Sequence, residues 1–332
     1  MEKLKVAIYG TNGHQITQKL KNGTKTQWVA AAGIPKEIIE QEPAYQTGEL
    51  KYFETLDELL AHSDAQLVSL CSPMRSEQAA DAIKVLRAKK HVYAEKPAAL
   101  DNGILDEILH VAEENGVEFH EIADTAFFEP YWTFRKVLQS GKIGEVVQVY
   151  VQKSYPQRDG MRPQDENEDG GLTRQVGIHA MRFIEHVVGL DVIDAQAMET
   201  KLGSIYEGNL HMASSWILQL ENGGVASACI NYFNPKGFPG WGNETLRVFG
   251  TKGMMEITNG GQATHLYTDD GDFGPLDLSG SDCPEFWDLY VDHLLTGSPM
   301  PMTIEEELHP LRVVNQIKAN IREVPVLEKT SR

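Results

Sequence analysis

Through the first third of the chain, short apolar runs alternate with amphipathic stretches. Residues 5–9 (KVAIY), 27–32 (QWVAAA), 65–71 (AQLVSLC), 91–94 (HVYA) and 117–122 (VEFHEI) predict buried strands. Between them, the stretch through Lys21 and residues 56–62, 77–89 and 101–114 predict helices. In the 77–89 stretch Ala80, Ile83, Val85 and Leu86 supply apolar positions. Asp57 and Glu58 sit in an early helical turn, where the dipole favours them, and Asn115-Gly116 predicts a C-terminal cap. Strands and helices in strict alternation predict βαβ units and a parallel sheet.

The pattern changes near residue 123. A helix over 132–139 is followed by long strand-like runs at 145–153, 194–202, 211–220, 224–233 and 245–249, with Asn222-Gly223 as a hairpin signal. Strands in series with tight turns predict a mostly antiparallel sheet, so this part reads as α+β. Helices are expected over 178–188, 286–295 and 304–321, and a polar loop over 157–171. The boundary gives domains at 1–122 and 123–332.

Composition narrows the function. Of 332 residues 41% are hydrophobic, enough for a core, and the length suits two domains. The net charge of −18 repels phosphate backbones and anionic lipid, so neither nucleic acid nor a membrane surface is an expected partner. No apolar run reaches the roughly 18 residues of a membrane span. The N-terminal apolar run is too short for a signal peptide, and Cys71, Cys229 and Cys283 form neither a disulfide framework nor a zinc spacing. A cytoplasmic location is expected.

Candidate chemistry begins at the loop after the first strand. Gly10-Thr11-Asn12-Gly13-His14-Gln15 can aim backbone N–H groups at a pyrophosphate, although Asn12 and Gln15 replace two glycines of the usual G-x-G-x-x-G. An ordinary βα turn reads the same residues equally well. Gly33 stands where an acid normally meets the adenosine ribose, and Lys36 nearby is either a 2′-phosphate contact or a solvated lysine. Ser72-Pro73 and Glu95-Lys96-Pro97 close two further strands at the sheet edge where ligands bind in open α/β folds. A lysine there can stabilise an alkoxide as it forms.

Together with G-G-L-T-R-Q-V-G-I-H (170–179), KHVYAEKPAAL (90–100) and SGKIGEVVQV (140–149), these segments resemble the Gfo/Idh/MocA oxidoreductases over nearly the full length. The resemblance implies an N-terminal Rossmann domain with a parallel sheet, then an α+β domain whose large open sheet carries oligomer contacts, in a homodimer or homotetramer. It implies NAD or NADP as cofactor, held by residues 10–15, Ser72, Pro73, Glu95 and Lys96, with a sugar or cyclitol as substrate. Lys96 matches the family's substrate-positioning lysine and His179 its acid/base histidine. Histidine suits that task because its ordinary pKa lies near neutrality.

The chain departs from the family pattern at Gln175, Arg182 and Met74, where relatives carry aspartate, aspartate and asparagine. If the segment is helical, Gln175 lies one turn before His179 and within reach of it, a third catalytic candidate. Two function classes follow. Retention of Lys96 and His179 favours a sugar, sugar-acid or cyclitol dehydrogenase or reductase. The departures favour a non-catalytic sensor that binds a dinucleotide or sugar, as the galactose-pathway repressor of the family does.

Other candidates are weighed against simpler accounts. His179, Arg182 and His186 share a helix face by spacing, and for His186 a solvated polar face is expected. Arg158, Arg162, Arg174 and Arg182 could receive a carboxylate or phosphate. The acids Asp159, Asp165, Glu166, Glu168 and Asp169 make local ion pairing the expected account. Tyr155 and Arg162 are carried as substrate-binding candidates; for Tyr155 and His211 ordinary packing or hydrogen bonding competes. His120 and Glu121 alternate across a strand, and no metal is expected.

Overall fold

The computed structural model describes residues 3–157 and 162–326; Arg158 and Asp159 lie outside them. The chain forms two compact units, Met1–Ala123 with Phe286–Leu308, and Asp124–Glu285 with His309–Arg332. The helix Phe286–Thr296 therefore belongs with the first unit, whereas a cut at 122/123 leaves it with the second.

The first unit holds a six-stranded sheet of β1 (Leu4–Tyr9), β2 (Thr26–Ala32), β3 (Lys51–Phe53), β4 (Leu67–Leu70), β5 (His91–Ala94) and β6 (Phe119–Glu121). Its order is β3-β2-β1-β4-β5-β6, and every pair is parallel. Buried on both faces, these strands read as nearly unbroken apolar runs; Val6, Ala7, Ile8, Leu67 and Val68 are fully buried. The helix Asn102–Asn115 is capped by Asp101, which accepts from Gly103 and Ile104, and ends at Gly116 with φ 64°. The returning segment completes this core. Trp287 and Tyr290 set their rings 5.1 and 5.9 Å from Tyr93. Glu307 accepts from the Glu121 N–H at 2.8 Å and meets His120 Nδ1 at 2.7 Å. Burial disfavours the charged imidazole, but the Glu307 and Glu118 carboxylates outweigh it and hold His120 up at about 9.

The second unit holds a nine-stranded sheet of β7 (Val146–Ser154), β8 (Val192–Thr200), β9 (Ala213–Leu220), β10 (Val225–Asn231), β11 (Asn243–Gly250), β12 (Gly253–Thr258), β13 (Ala263–Thr268), β14 (Gly271–Gly274) and β15 (Arg322–Val324). The order is β14-β13-β12-β11-β7-β10-β9-β8-β15, antiparallel except at β7–β10 and β8–β15. Asn222-Gly223 turns β9 into β10; Asn222 accepts from Gly224, and Gly223 has φ 86°. Trp216, Leu218, Ala226 and Ala228 face the helices Gly171–Gln175 and Gly177–Arg182. Gly177 permits that approach, because a Cβ there would stand 2.3 Å from Trp216 Cη2. The opposite face carries Met198, Ile217 and Val225, with Ile217 68% exposed.

The expected continuous helix over 178–188 is two pieces. An α-helix, Gly177–Arg182, passes into a π-helical turn, Phe183–Val188. The wider turn changes the angular spacing, and the expected solvated face does not exist: Arg182 is 1% and His186 3% exposed.

Candidate functional site

In the first unit the candidate residues gather at the carboxyl ends of β1, β4 and β5, where the strand order reverses. The loop 10–15 folds tightly against its neighbours. Asn12 N–H donates to the Cys71 carbonyl at 3.2 Å and Asn12 Nδ2 to the Pro73 carbonyl at 3.2 Å. Gly13, at φ 130°, passes so close that a Cβ would lie 2.4 Å from Glu95 Cγ. His14 N–H donates to Glu95 Oε2 at 3.0 Å, and both Glu95 oxygens stand 3.1 Å from His14 Nδ1. Gln15, replacing the third glycine, turns its amide back to the Thr11 and Gly13 carbonyls at 2.7 and 2.6 Å. The helix that follows is short, Thr17–Asn22.

Glu95 is buried, which by itself raises a carboxyl pKa. The His14 hydrogen bond and the charges of Lys96, His14 and Arg75 prevail and hold it at about 2. Lys96 is 8% exposed, with Nζ 3.9 Å from Glu95 Oε1, and the Lys96–Pro97 bond is cis. Ser72 is fully buried, its hydroxyl donating to Asp81 at 2.8 Å. Gly33 has φ 64° and lies under the Tyr9 ring, and Lys36 sits 5.6 Å over the Tyr52 ring.

Two supporting residues carry no motif in the sequence. Arg75, buried, donates to the Asn12 carbonyl and to the Gln78 side chain; Gln78 in turn donates to the carbonyls of Glu95 and Pro97. They tie the glycine loop to the Glu95-Lys96-Pro97 turn. Glu121 accepts from Ala98 N–H at 2.7 Å and fixes the other side of that turn.

The second unit presents His179 two residues after Gly177. Its ring meets Tyr155 edge to face, centroids 6.0 Å apart, and Tyr155 lies 5.8 Å from Trp241. The Arg162 guanidinium stands 5.8 Å from the Tyr155 ring and 4.8 Å from the Tyr232 ring. Lys153 Nζ lies 5.0 Å from the same Tyr155 ring and is paired with Glu244. The three sequence candidates Tyr155, Arg162 and His179 thus share one aromatic cluster. Trp241 and Tyr232 join it unforeseen, though a tryptophan in a glycine-rich polar stretch (GFPGWGN) was a usable signal.

Gln175 ends the helix Gly171–Gln175, and Val176 separates it from the helix that carries His179. Its Nε2 donates to the Asp169 carbonyl at 2.6 Å, so it ties down the loop before the histidine. The expected ion pairing of the arginine-rich segment fails at Arg162: among the described residues no carboxylate pairs with it, and its buried Nε has no hydrogen-bond partner. Arg174 donates to Asn315 at 2.9 Å.

His211 lies in a buried ionic cluster. Lys318 Nζ is 2.6 Å from both Glu166 and Glu199, and His211 Nδ1 is 3.1 Å from Glu166. Burial raises the Glu166 carboxyl, yet the bonds from His211 and Lys318 hold it at about 2. Glu166, Glu199 and His211 have spacing suited to a metal ion, but the Lys318 ammonium already serves both carboxylates as their cation. A second such group is Glu185, Asp191 and His309, in which Glu185 accepts from Val192 N–H at 3.0 Å.

Comparison with known proteins fits both halves. Residues 4–122 match the oxidoreductase family with an NAD-binding Rossmann fold, and residues 131–256 match the GFO/IDH/MocA C-terminal domain. The chain belongs to the GFO/IDH/MocA oxidoreductase family, whose cofactor is NAD or NADP. It is 25% identical to inositol 2-dehydrogenase of Rhizobium meliloti over 210 residues, 62% of this chain and 61% of that protein. The chain spans about half the length of the curated relatives it matches. Aldose–aldose oxidoreductase of Caulobacter crescentus, solved with glycerol, superposes with a TM-score of 0.81 at 20% identity, covering 96% of this chain and 97% of that one. The WlbA dehydrogenase of Bordetella pertussis, solved with NADH and UDP-GlcNAcA, gives 0.79 at 17% identity, covering 96% and 95%. No helix among the described residues is long and apolar enough to cross a membrane.

The loop 10–15, Pro73 and the Glu95-Lys96 turn lie at the sheet edge where open α/β folds bind ligands. At Gly13 the Glu95 and Arg75 side chains leave no room for a Cβ.

Proposed function

We propose that this protein is an NAD(P)-dependent dehydrogenase or reductase of a sugar, sugar acid or cyclitol. The observation that carries the reading is Lys96: a lysine 8% exposed, beside an ionised Glu95 and on the same edge as the dinucleotide loop. The nicotinamide, when bound, gives or takes the hydride. Lys96 donates a hydrogen bond to the reacting oxygen and stabilises negative charge on it. His179 takes the hydroxyl proton in oxidation and returns it in reduction. Tyr155 and Trp241 offer aromatic faces to the carbon skeleton of the substrate. Inositol 2-dehydrogenase and aldose–aldose oxidoreductase support the polyol class.

The protein acts as a homodimer or homotetramer in which a second copy covers the sheet face bearing Met198, Ile217 and Val225. The free thiols of Cys71, Cys229 and Cys283 suit a reducing cytoplasm.

The test is a panel of sugars, sugar acids and cyclitols with each cofactor, read by nicotinamide absorbance. Turnover that falls about 10²–10⁴-fold in His179→Ala is expected. Cofactor binding with no turnover of any compound would replace this reading with that of a sensor.

A further inference from the structure

Among the described residues of the second unit, Arg162 is a half-buried cation with no carboxylate partner. Lys153 is paired with Glu244 and Lys318 with Glu166 and Glu199. Arg162, half-buried, has no carboxylate partner among the described residues, although acids crowd the segment after it. Three of those acids are engaged elsewhere. Asp165 accepts from the Asn167 N–H, Glu166 from Lys318 and His211, and Asp169 from the Gly171 N–H.

Two tyrosine rings lie beside Arg162. The guanidinium lies against Tyr232 at 4.8 Å and Tyr155 at 5.8 Å, and Tyr155 in turn meets His179. The Tyr232 hydroxyl is buried without a hydrogen-bond partner, and burial raises its pKa, so it remains a neutral phenol. The Arg162 Nε is buried without a hydrogen-bond partner, and a planar guanidinium matches a carboxylate in bidentate fashion.

Resting on the reading above, we propose that the substrate is a carboxylate-bearing polyol, a uronic or aldonic acid, whose carboxylate is held by Arg162 while the reacting hydroxyl is served by His179. The aromatic cluster selects for a hydroxylated carbon chain, and Arg162 for the acid at its end.

Matched pairs test it: glucuronate against glucose, galacturonate against galactose, and gluconate against sorbitol. Binding is read by quenching of tryptophan emission, with Trp241→Phe to assign the signal, and turnover by nicotinamide absorbance. The acid of at least one pair is expected to bind and turn over about 10²-fold better than its neutral partner. Arg162→Gln should collapse that ratio toward one, and Arg162→Lys should restore part of it. Equal handling of acid and neutral members, no binding of any acid, or a ratio unchanged in Arg162→Gln overturns the proposal. The two readings fail separately: acids that bind through Arg162 without turnover sink the dehydrogenase and keep the anion site, while neutral sugars that turn over with no acid preference do the reverse.

Discussion

Glu95 receives the backbone N–H of His14 at 3.0 Å and faces the His14 ring with both oxygens. A loop of the kind that cradles a pyrophosphate therefore has its own carboxylate beneath it, and this carboxylate sets the loop's shape. The same group stands beside Lys96, so one buried charge organises both the loop and the lysine.

That charge has a pH signature. The folded pKa of Glu95 is depressed from 4.5 to about 2, so its stabilisation is fully present above pH 4.5 and lost as pH falls toward 2. The shift corresponds to about 3 kcal/mol. Glu95→Gln is expected to lower stability by roughly that amount at neutral pH, the deficit shrinking below pH 4.5. Urea melts of both proteins across that range check it; a deficit independent of pH would contradict the electrostatic account.

His120 gives the opposite limb. Its folded pKa is raised from 6.5 to about 9, so the stabilisation from its pairing with Glu307 is present below pH 6.5 and fades as pH rises through 9. His120→Asn should melt lower than the parent at pH 6 and close that gap by pH 10. Thermal melts in a buffer series decide it.

Gly33 makes a prediction about cofactor choice. Gly33 stands where an acid normally meets the adenosine ribose, so NAD and NADP should bind with little preference, or mildly in favour of NADP. A Cβ at Gly33 would lie 2.9 Å from the Tyr9 ring at φ 64°. Gly33→Asp is thus expected to cost about 1–2 kcal/mol of stability without producing a strong NAD preference. Cofactor titrations by nicotinamide fluorescence, with melts alongside, measure both.

The open sheet face predicts assembly. Ile217→Arg places a charge at a position 68% exposed in the single chain. Sedimentation should show the parent larger than 37.0 kDa and the variant shifted toward that mass. A parent that sediments at 37.0 kDa at micromolar concentration would show the face to be solvated.

Much of this architecture is legible because backbone rules act locally. The βα alternation, the Asn115-Gly116 cap and the Asn222-Gly223 hairpin each depend on a few neighbouring residues. The edge strands β12 to β14 escape pattern reading because they are half-exposed and lack a long apolar run. A residue's place is legible where it ends a strand, as at Glu95 and Lys96 after β5. It is not where burial decides. Helical spacing places His186 on a polar surface, yet the π-helical turn and tertiary packing bury it. Charge proximity pairs Arg162 with its neighbours, yet its guanidinium lies beside the Tyr155 and Tyr232 rings instead. Arg75 and Gln78 announce nothing, since their role depends on where three separate strand ends converge.

The return of Phe286–Leu308 to the first unit constrains how the chain is made. On the ribosome, residues 1–123 emerge before residues 286–308, so Tyr93 waits for Trp287 and Tyr290, and His120 for Glu307. Domains commonly fold as they leave the exit tunnel. Here the N-terminal sheet keeps an uncovered aromatic flank until residues 286–308 have been synthesised. The interval during which a nascent chain is exposed to chaperones is thus set by the length of the intervening second unit, and a fragment ending at Ala123 lacks the side chains that close its own core.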